Sequence, residues 1–102
     1  MECKKLTFPT ESEYYLKYIF EKNDTNTQAK CGSVFLKKGD ILPFKVLGFD
    51  EISFLLSGKL IVCTKGNQKI EMNNGDLIYI HKNEIRETQV LEDSQILFFL
   101  YQ

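Results

Sequence analysis

The sequence predicts an all-β domain, and three observations carry that prediction. From Cys31 onward, short apolar runs alternate with clusters of turn residues every eight to twelve positions, the cadence of an antiparallel sandwich or barrel. No segment after Glu21 sustains helical periodicity. Two glycine-centred segments, Ser57-Gly58 and Lys65-Gly66-Asn67-Gln68, stand between apolar runs where tight hairpins would form, since glycine accepts the positive φ such turns demand.

Taken in order, the chain begins with a capping signal. Thr10-Glu11-Ser12-Glu13 follows Pro9, and Tyr14, Tyr15, Tyr18 and Ile19 then recur at helical spacing, which predicts a short amphipathic helix over Glu11 to Glu21. The same stretch, Tyr-Tyr-Leu-Lys-Tyr-Ile-Phe, also has the composition of a strand. Asn23-Asp24-Thr25-Asn26-Thr27-Gln28 reads as a polar loop, so residues 1–30 form an N-terminal appendage and residues 31–102 the β domain.

Further breaks fall at Lys37-Lys38-Gly39-Asp40, Leu47-Gly48-Phe49-Asp50, Asn73-Asn74-Gly75-Asp76 and Glu92-Asp93-Ser94. A hairpin at Ser57-Gly58 would join Ile52–Leu56 to Leu60–Thr64, and a second at residues 65–68 would lead into Lys69–Met72. The last run, Gln95 to Gln102, is apolar on both faces and should be covered on both sides. Its abrupt end suggests a domain cut from a longer protein.

Composition narrows the function classes. A chain of 102 residues suits one domain, and 43% hydrophobic content with 13% aromatic fills a single core. The net charge of −1 and pI of about 5.8 arise from charges spread along the chain, with no basic block able to track a phosphate backbone. No apolar run reaches the length of a membrane span, and Met1 to Thr10 lacks the apolar stretch of a signal peptide, so a cytoplasmic location is expected. Cys3, Cys31 and Cys63 are odd in number and far apart, which fits reduced thiols better than a disulfide framework or a zinc site.

One spacing stands out. Gly39, Lys45, Leu47, Glu51 and Gly58 reproduce, without insertion or deletion, the frame of the first cupin motif, in which a glycine is followed by two histidines, a glutamate and a closing glycine. Gly75, His81, Asn83, Arg86 and Val90 follow the frame of the second motif, where only the opening glycine matches by type. The sequence therefore resembles a cupin, and the resemblance implies a single jelly-roll barrel. In cupins the metal is held by the first motif's histidines and glutamate and the second motif's histidine, positions filled here by Lys45, Leu47, Glu51 and Arg86. One carboxylate flanked by two cations offers too few donors, so no metal and no cofactor is expected at the family site.

In that register Lys45, Leu47, Glu51 and Arg86 point into the barrel, and Ser53, Leu55 and Ser57 share the face of Glu51. Buried charges are costly unless paired, so Glu51 should bond Lys45 or Arg86. Three readings follow: a buried bridge that replaces the metal as a core staple; a pocket for a small polar or anionic ligand lined by Lys45, Glu51, Ser53 and Arg86; or a wrong register at the second motif that leaves Arg86 solvated. On the opposite face, Ile52, Phe54 and Leu56 form an apolar stripe covered by a second sheet, by the N-terminal segment or by another subunit. His81, the only histidine, reads as a surface residue, and no catalytic set joins it to Ser53, Cys31 or Cys63.

Lys-Lys-Gly-Asp-Ile, Ser-Gly-Lys-Leu and Asn-Gly-Asp-Leu-Ile-Tyr-Ile are similar to the N-terminal cupin domain of AraC-family transcription regulators over residues 31–102. That resemblance implies a non-enzymatic regulatory domain that senses an effector or mediates homodimerisation, with DNA bound only by helix-turn-helix motifs beyond Gln102. The alternatives are a stand-alone metal-free cupin enzyme of isomerase or epimerase type, with Glu51, Lys45, Tyr79 or His81 as acid and base, and a structural dimerisation module with a filled interior.

Overall fold

The computed structural model describes residues 1–102. Seven strands and no helix are present: β1 (Leu16–Asn23), β2 (Gln28–Leu36), β3 (Ile41–Lys45), β4 (Asp50–Thr64), β5 (Lys69–Asn73), β6 (Leu77–Ile80) and β7 (Arg86–Tyr101). All pairings are antiparallel, in the order β1-β2-β7-β4-β5, with β3 added to β7 and β6 to β4. This is an all-β fold of cupin type, as the turn cadence and the glycine frame predict. No helix is long and apolar enough to cross a membrane.

Two expected turns are bends in continuous strands. Ser57-Gly58 makes no hairpin: β4 runs through it for 15 residues, and its two halves pair with the two halves of β7, Asp50–Ser57 with residues 95–101 and Lys59–Thr64 with residues 86–92. The physical cause lies at Gly58, whose φ is +117° and whose Cα faces Asp93 and Ser94 so closely that an added Cβ would stand 2.6 Å from the Asp93 carbonyl oxygen. Only glycine accepts both conditions, and the bulges around it let β4 bend across the barrel. Glu92-Asp93-Ser94 is the matching bend of β7, where the Ser94 hydroxyl accepts from the Lys59 N–H at 3.3 Å and donates to the Glu92 carbonyl at 2.7 Å. The 65–68 hairpin forms as expected, with Cys63 opposite Lys69 and Asn67 at φ +68°.

The bend divides the core. Val34, Leu36, Val90, Phe98 and Leu100 pack in one cluster; Leu55, Leu60, Val62, Met72 and Ile78 pack in the other. Along β4 the inward set changes from odd to even numbers across Gly58, from Ser53 and Leu55 to Leu60 and Val62, as an extra residue in a bulge requires.

The predicted N-terminal helix is absent. Its start signal is real: the Glu13 N–H donates to the Thr10 carbonyl at 3.1 Å, and the Glu13 carboxylate accepts from the Thr10 N–H at 2.8 Å. The turn does not propagate, because the aromatic and β-branched residues that follow pair as β1 with β2 from Leu16 opposite Val34. Residues before β1 then lie along the outer side of β1 and β2. The Ser33 hydroxyl donates to the Thr7 carbonyl at 2.6 Å, and the Lys4 ammonium donates to the Ile19 carbonyl at 2.8 Å.

The final strand is covered on one face alone. Ile96, Phe98 and Leu100 turn into the core, whereas Phe99 and Tyr101 are exposed on the outer face. The Ile52, Phe54 and Leu56 stripe lies on that same outer face. Ile52 pairs with Phe99 and with Tyr79, and Phe54 pairs with Leu97 and with Leu77. No second layer of this chain packs over these rows.

Candidate functional site

Lys45 ends β3, Glu51 and Ser53 lie near the start of β4, and Arg86 opens β7. The pairing of β3 and β7 sets Lys45 directly opposite Arg86, while the start of β4 sets Glu51 opposite Leu100 and Ser53 opposite Phe98, toward the other end of β7. Alternation along each strand then aims all four side chains inward. They line one cavity of about 100 Å³ together with Leu47, and most of its remaining wall is apolar.

The polar end of the cavity is organised around Glu51. Arg86 donates through Nη2 to Glu51 Oε1 at 2.6 Å, and the Ser53 hydroxyl donates to Oε2 at 2.6 Å. The Arg86 and Glu51 side chains are 7% and 15% exposed, so this is a buried, charge-assisted pair with both carboxylate oxygens engaged. Of the two cations available to Glu51, the structure selects Arg86. Lys45 enters none of the four ion pairs and is left as a surplus positive charge. Burial, reinforced by the neighbouring Arg86 guanidinium and partly offset by Glu51, pushes the Lys45 pKa below its usual value.

Ser57 does not reach this cavity. The bulges next to it turn its hydroxyl to the Gln95 side chain at 3.4 Å. His81 is exposed, stacks edgewise on Tyr79 with ring centres 4.5 Å apart, and lines with Glu84 and Gln68 an adjoining cleft that shares Arg86, Val62, Ile78 and Ile80 with the cavity. Two hydroxyl-bearing residues of the lining, Thr88 and Tyr15, are not marked as site residues by the sequence. Thr88 follows Arg86 by two positions on β7, so alternation from Arg86 points to it. Tyr15 closes the cavity from the strand side of the expected helix, and no signal in its own neighbourhood marks that role.

The residues at the cupin metal positions do not fit a metal. The only carboxylate among them is spent on Arg86 and Ser53, and the other positions supply two cations and a leucine. No group of three or more histidine, cysteine, aspartate or glutamate side chains gathers anywhere in the chain. In the loop that carries the second motif, Asn83 stands at the motif's glycine position with φ +69°, a conformation asparagine tolerates, and its N–H donates to the Leu47 carbonyl at 3.0 Å. That bond ties the two motif loops together at the cavity's edge.

Solved structures agree with this fold. The chain superposes on an RmlC-like cupin protein from Desulfovibrio desulfuricans with a TM-score of 0.72 at 15% identity, covering 96% of each chain. The Clostridium difficile EutQ protein gives a TM-score of 0.65 at 20% identity over 85% of this chain and 66% of that one. A DMSP lyase from Ruegeria pomeroyi gives 0.64 at 19% identity over 72% of this chain, which spans 38% of the lyase. No curated protein sequence matches the chain. The family model described as ethanolamine utilisation protein EutQ matches residues 14–102, from the approach to β1 through the end of β7, and the chain belongs to that family.

Proposed function

We propose that this domain is a non-enzymatic cupin whose barrel binds a small organic anion. The observation that carries the reading is Lys45, a cation without an ionic partner facing an apolar cavity whose other charges, Arg86 and Glu51, cancel. An anion there would restore neutrality beside a half-buried cation, and the apolar wall would take its hydrocarbon part. Thermal unfolding against a panel of small carboxylates tests this. A ligand at a hundred times its Kd stabilises by about 2.7 kcal/mol, and the gain should vanish in Lys45→Met. A panel without effect on either protein would remove the proposal.

An AraC-type regulatory role is the finer form of this reading and rests on the sequence resemblance alone. It would require helix-turn-helix elements, which none of the seven strands supplies. The enzymatic alternative needs a free acid and base, yet the Glu51 carboxylate is engaged on both oxygens. If an isomerase or epimerase activity were found and Glu51→Gln abolished it, the non-enzymatic reading would fail.

We also infer that the outer sheet face pairs with a second copy. Leu77, Tyr79 and Phe99 are 66%, 49% and 42% exposed and lie in adjoining cross-strand rows with Ile52, Phe54 and Leu97. With the exposed Phe20 and Tyr101, Leu77, Tyr79 and Phe99 offer roughly 350–580 Å² of surface, taking exposed shares of the ~150–250 Å² of a large side chain, against ~800 Å² per partner in a standard interface. The net charge of −1 opposes such pairing little.

A further inference from the structure

Lys45 is a primary amine with no ionic partner, held across from a guanidinium in a largely apolar chamber. Simple ion binding leaves its nucleophilic capacity unused. A lysine surrounded by apolar groups and beside another cation loses its proton more readily than a solvated one and attacks carbonyl carbon. Arg86 spends Nη2 on Glu51, and its remaining N–H groups have no partner in the protein. A planar guanidinium with free N–H groups is suited to a carboxylate.

We propose that Lys45 captures a small 2-oxo acid as a reversible Schiff base, with the ligand's carboxylate held by Arg86. The proposal rests on the anion-binding reading of the same cavity and names its ligand class. Residues directly opposite on antiparallel strands have Cα atoms about 4.5–5.5 Å apart, so an electrophilic carbon one bond from the carboxylate lies within reach of the Lys45 amine. The cavity of about 100 Å³ admits several waters' worth of ligand, which suits a few non-hydrogen atoms. The downward pressure on the Lys45 pKa from burial and from Arg86 favours the neutral amine that the step requires.

In the reaction the Nζ lone pair adds to the keto carbon and a proton passes from nitrogen to oxygen, giving a carbinolamine. A proton from solvent then carries the hydroxyl away as water, leaving a protonated carbon–nitrogen double bond. No oxidant or reductant takes part, and water reverses the sequence.

The test uses the full chain, pyruvate and sodium borohydride, whose hydride reduces the double bond to a stable secondary amine. Peptide mass spectrometry should find the reduced adduct on Lys45 several-fold above every other lysine. Excess propanoate, which has the carboxylate and lacks the keto group, should suppress it. Lys45→Arg, which keeps the charge and lacks the nucleophilic amine, should lose the adduct. An adduct spread evenly over the lysines, or one indifferent to propanoate, overturns the proposal. If pyruvate and propanoate both raise the melting temperature and no adduct forms, the covalent step fails and the anion site stands. If neither raises it, both readings fail together.

Discussion

Lys45 and Arg86 stand directly opposite each other on β3 and β7, two like charges at a cross-strand pair. Such pairs are unfavourable, and only Arg86 has an anionic partner. The arrangement costs the fold stability and keeps one cation available inside the barrel.

That cost has a pH signature. The folded-state pKa of Lys45 lies below the ordinary 10.5, so between the two values the unfolded chain holds more protons and stability rises with pH. The penalty is fully present below the folded value and disappears as pH climbs through it toward 10.5. Lys45→Met is expected to stabilise the protein at neutral pH by about 0.2–1 kcal/mol, the scale of a cross-strand charge pair, and the gain should shrink in alkaline buffer. Urea midpoints of both proteins across that range check it. A gain that grows with pH would contradict the assignment.

Removing Arg86 has the opposite consequence. Arg86→Met leaves the Glu51 carboxylate buried with Ser53 as its sole partner, and breaking a buried pair from one side costs about 3–5 kcal/mol. Replacing both partners, Arg86→Met with Glu51→Gln, removes the stranded charge and should recover most of the loss. Denaturant unfolding of the two singles and the double gives the coupling. Additive losses would mean that the two groups do not act as a pair.

The sequence carried the glycine frame from Gly39 to Gly58 and the second frame from Gly75, and with them the four positions that meet in the cavity, because inward orientation follows from strand alternation once the register is set. It did not carry the choice between Lys45 and Arg86 as partner of Glu51. That depends on how β3 and β4 lie against β7, which is set by pairings far apart in the chain. The capping box at Thr10 and Glu13 predicts a helix and yields only a single turn, since the edge of β2 captures the residues that follow. The bend at Gly58 looks like a hairpin turn for a similar reason: a glycine reports that the backbone is unusual, and tertiary pairing decides what it is used for.

Gly58 and Gly75 separate the two demands a glycine can meet. Both have positive φ, at +117° and +88°, yet Gly75 faces open space while Gly58 abuts Asp93 and Ser94. Gly75→Ala should therefore cost on the order of 1 kcal/mol from backbone strain alone. Gly58→Ala adds a clash with backbone and should cost roughly 2–5 kcal/mol, strain and overpacking together. Thermal and chemical unfolding of the two variants compare them directly. Equal losses would show that close packing of β4 against β7 is not what holds Gly58.

The outer rows allow a test of self-association that leaves the interior untouched. Phe99 and Tyr79 flank Ile52 on neighbouring strands, are both exposed, and contribute to neither core cluster. Phe99→Glu should thus leave the unfolding midpoint of the monomer within about 0.5 kcal/mol, as for exposed positions generally. In a dimer the same change places one carboxylate in each copy's apolar face, and burial of an unpaired charge costs several kcal/mol, enough to dissociate a pair held by a standard interface. Sedimentation equilibrium of the wild type should show a concentration-dependent dimer that Phe99→Glu and Tyr79→Glu each abolish, whereas a Lys82→Glu change outside the rows should leave it intact. A wild type that stays monomeric at high concentration, or a dimer that survives both substitutions, would assign the exposed rows to some other role.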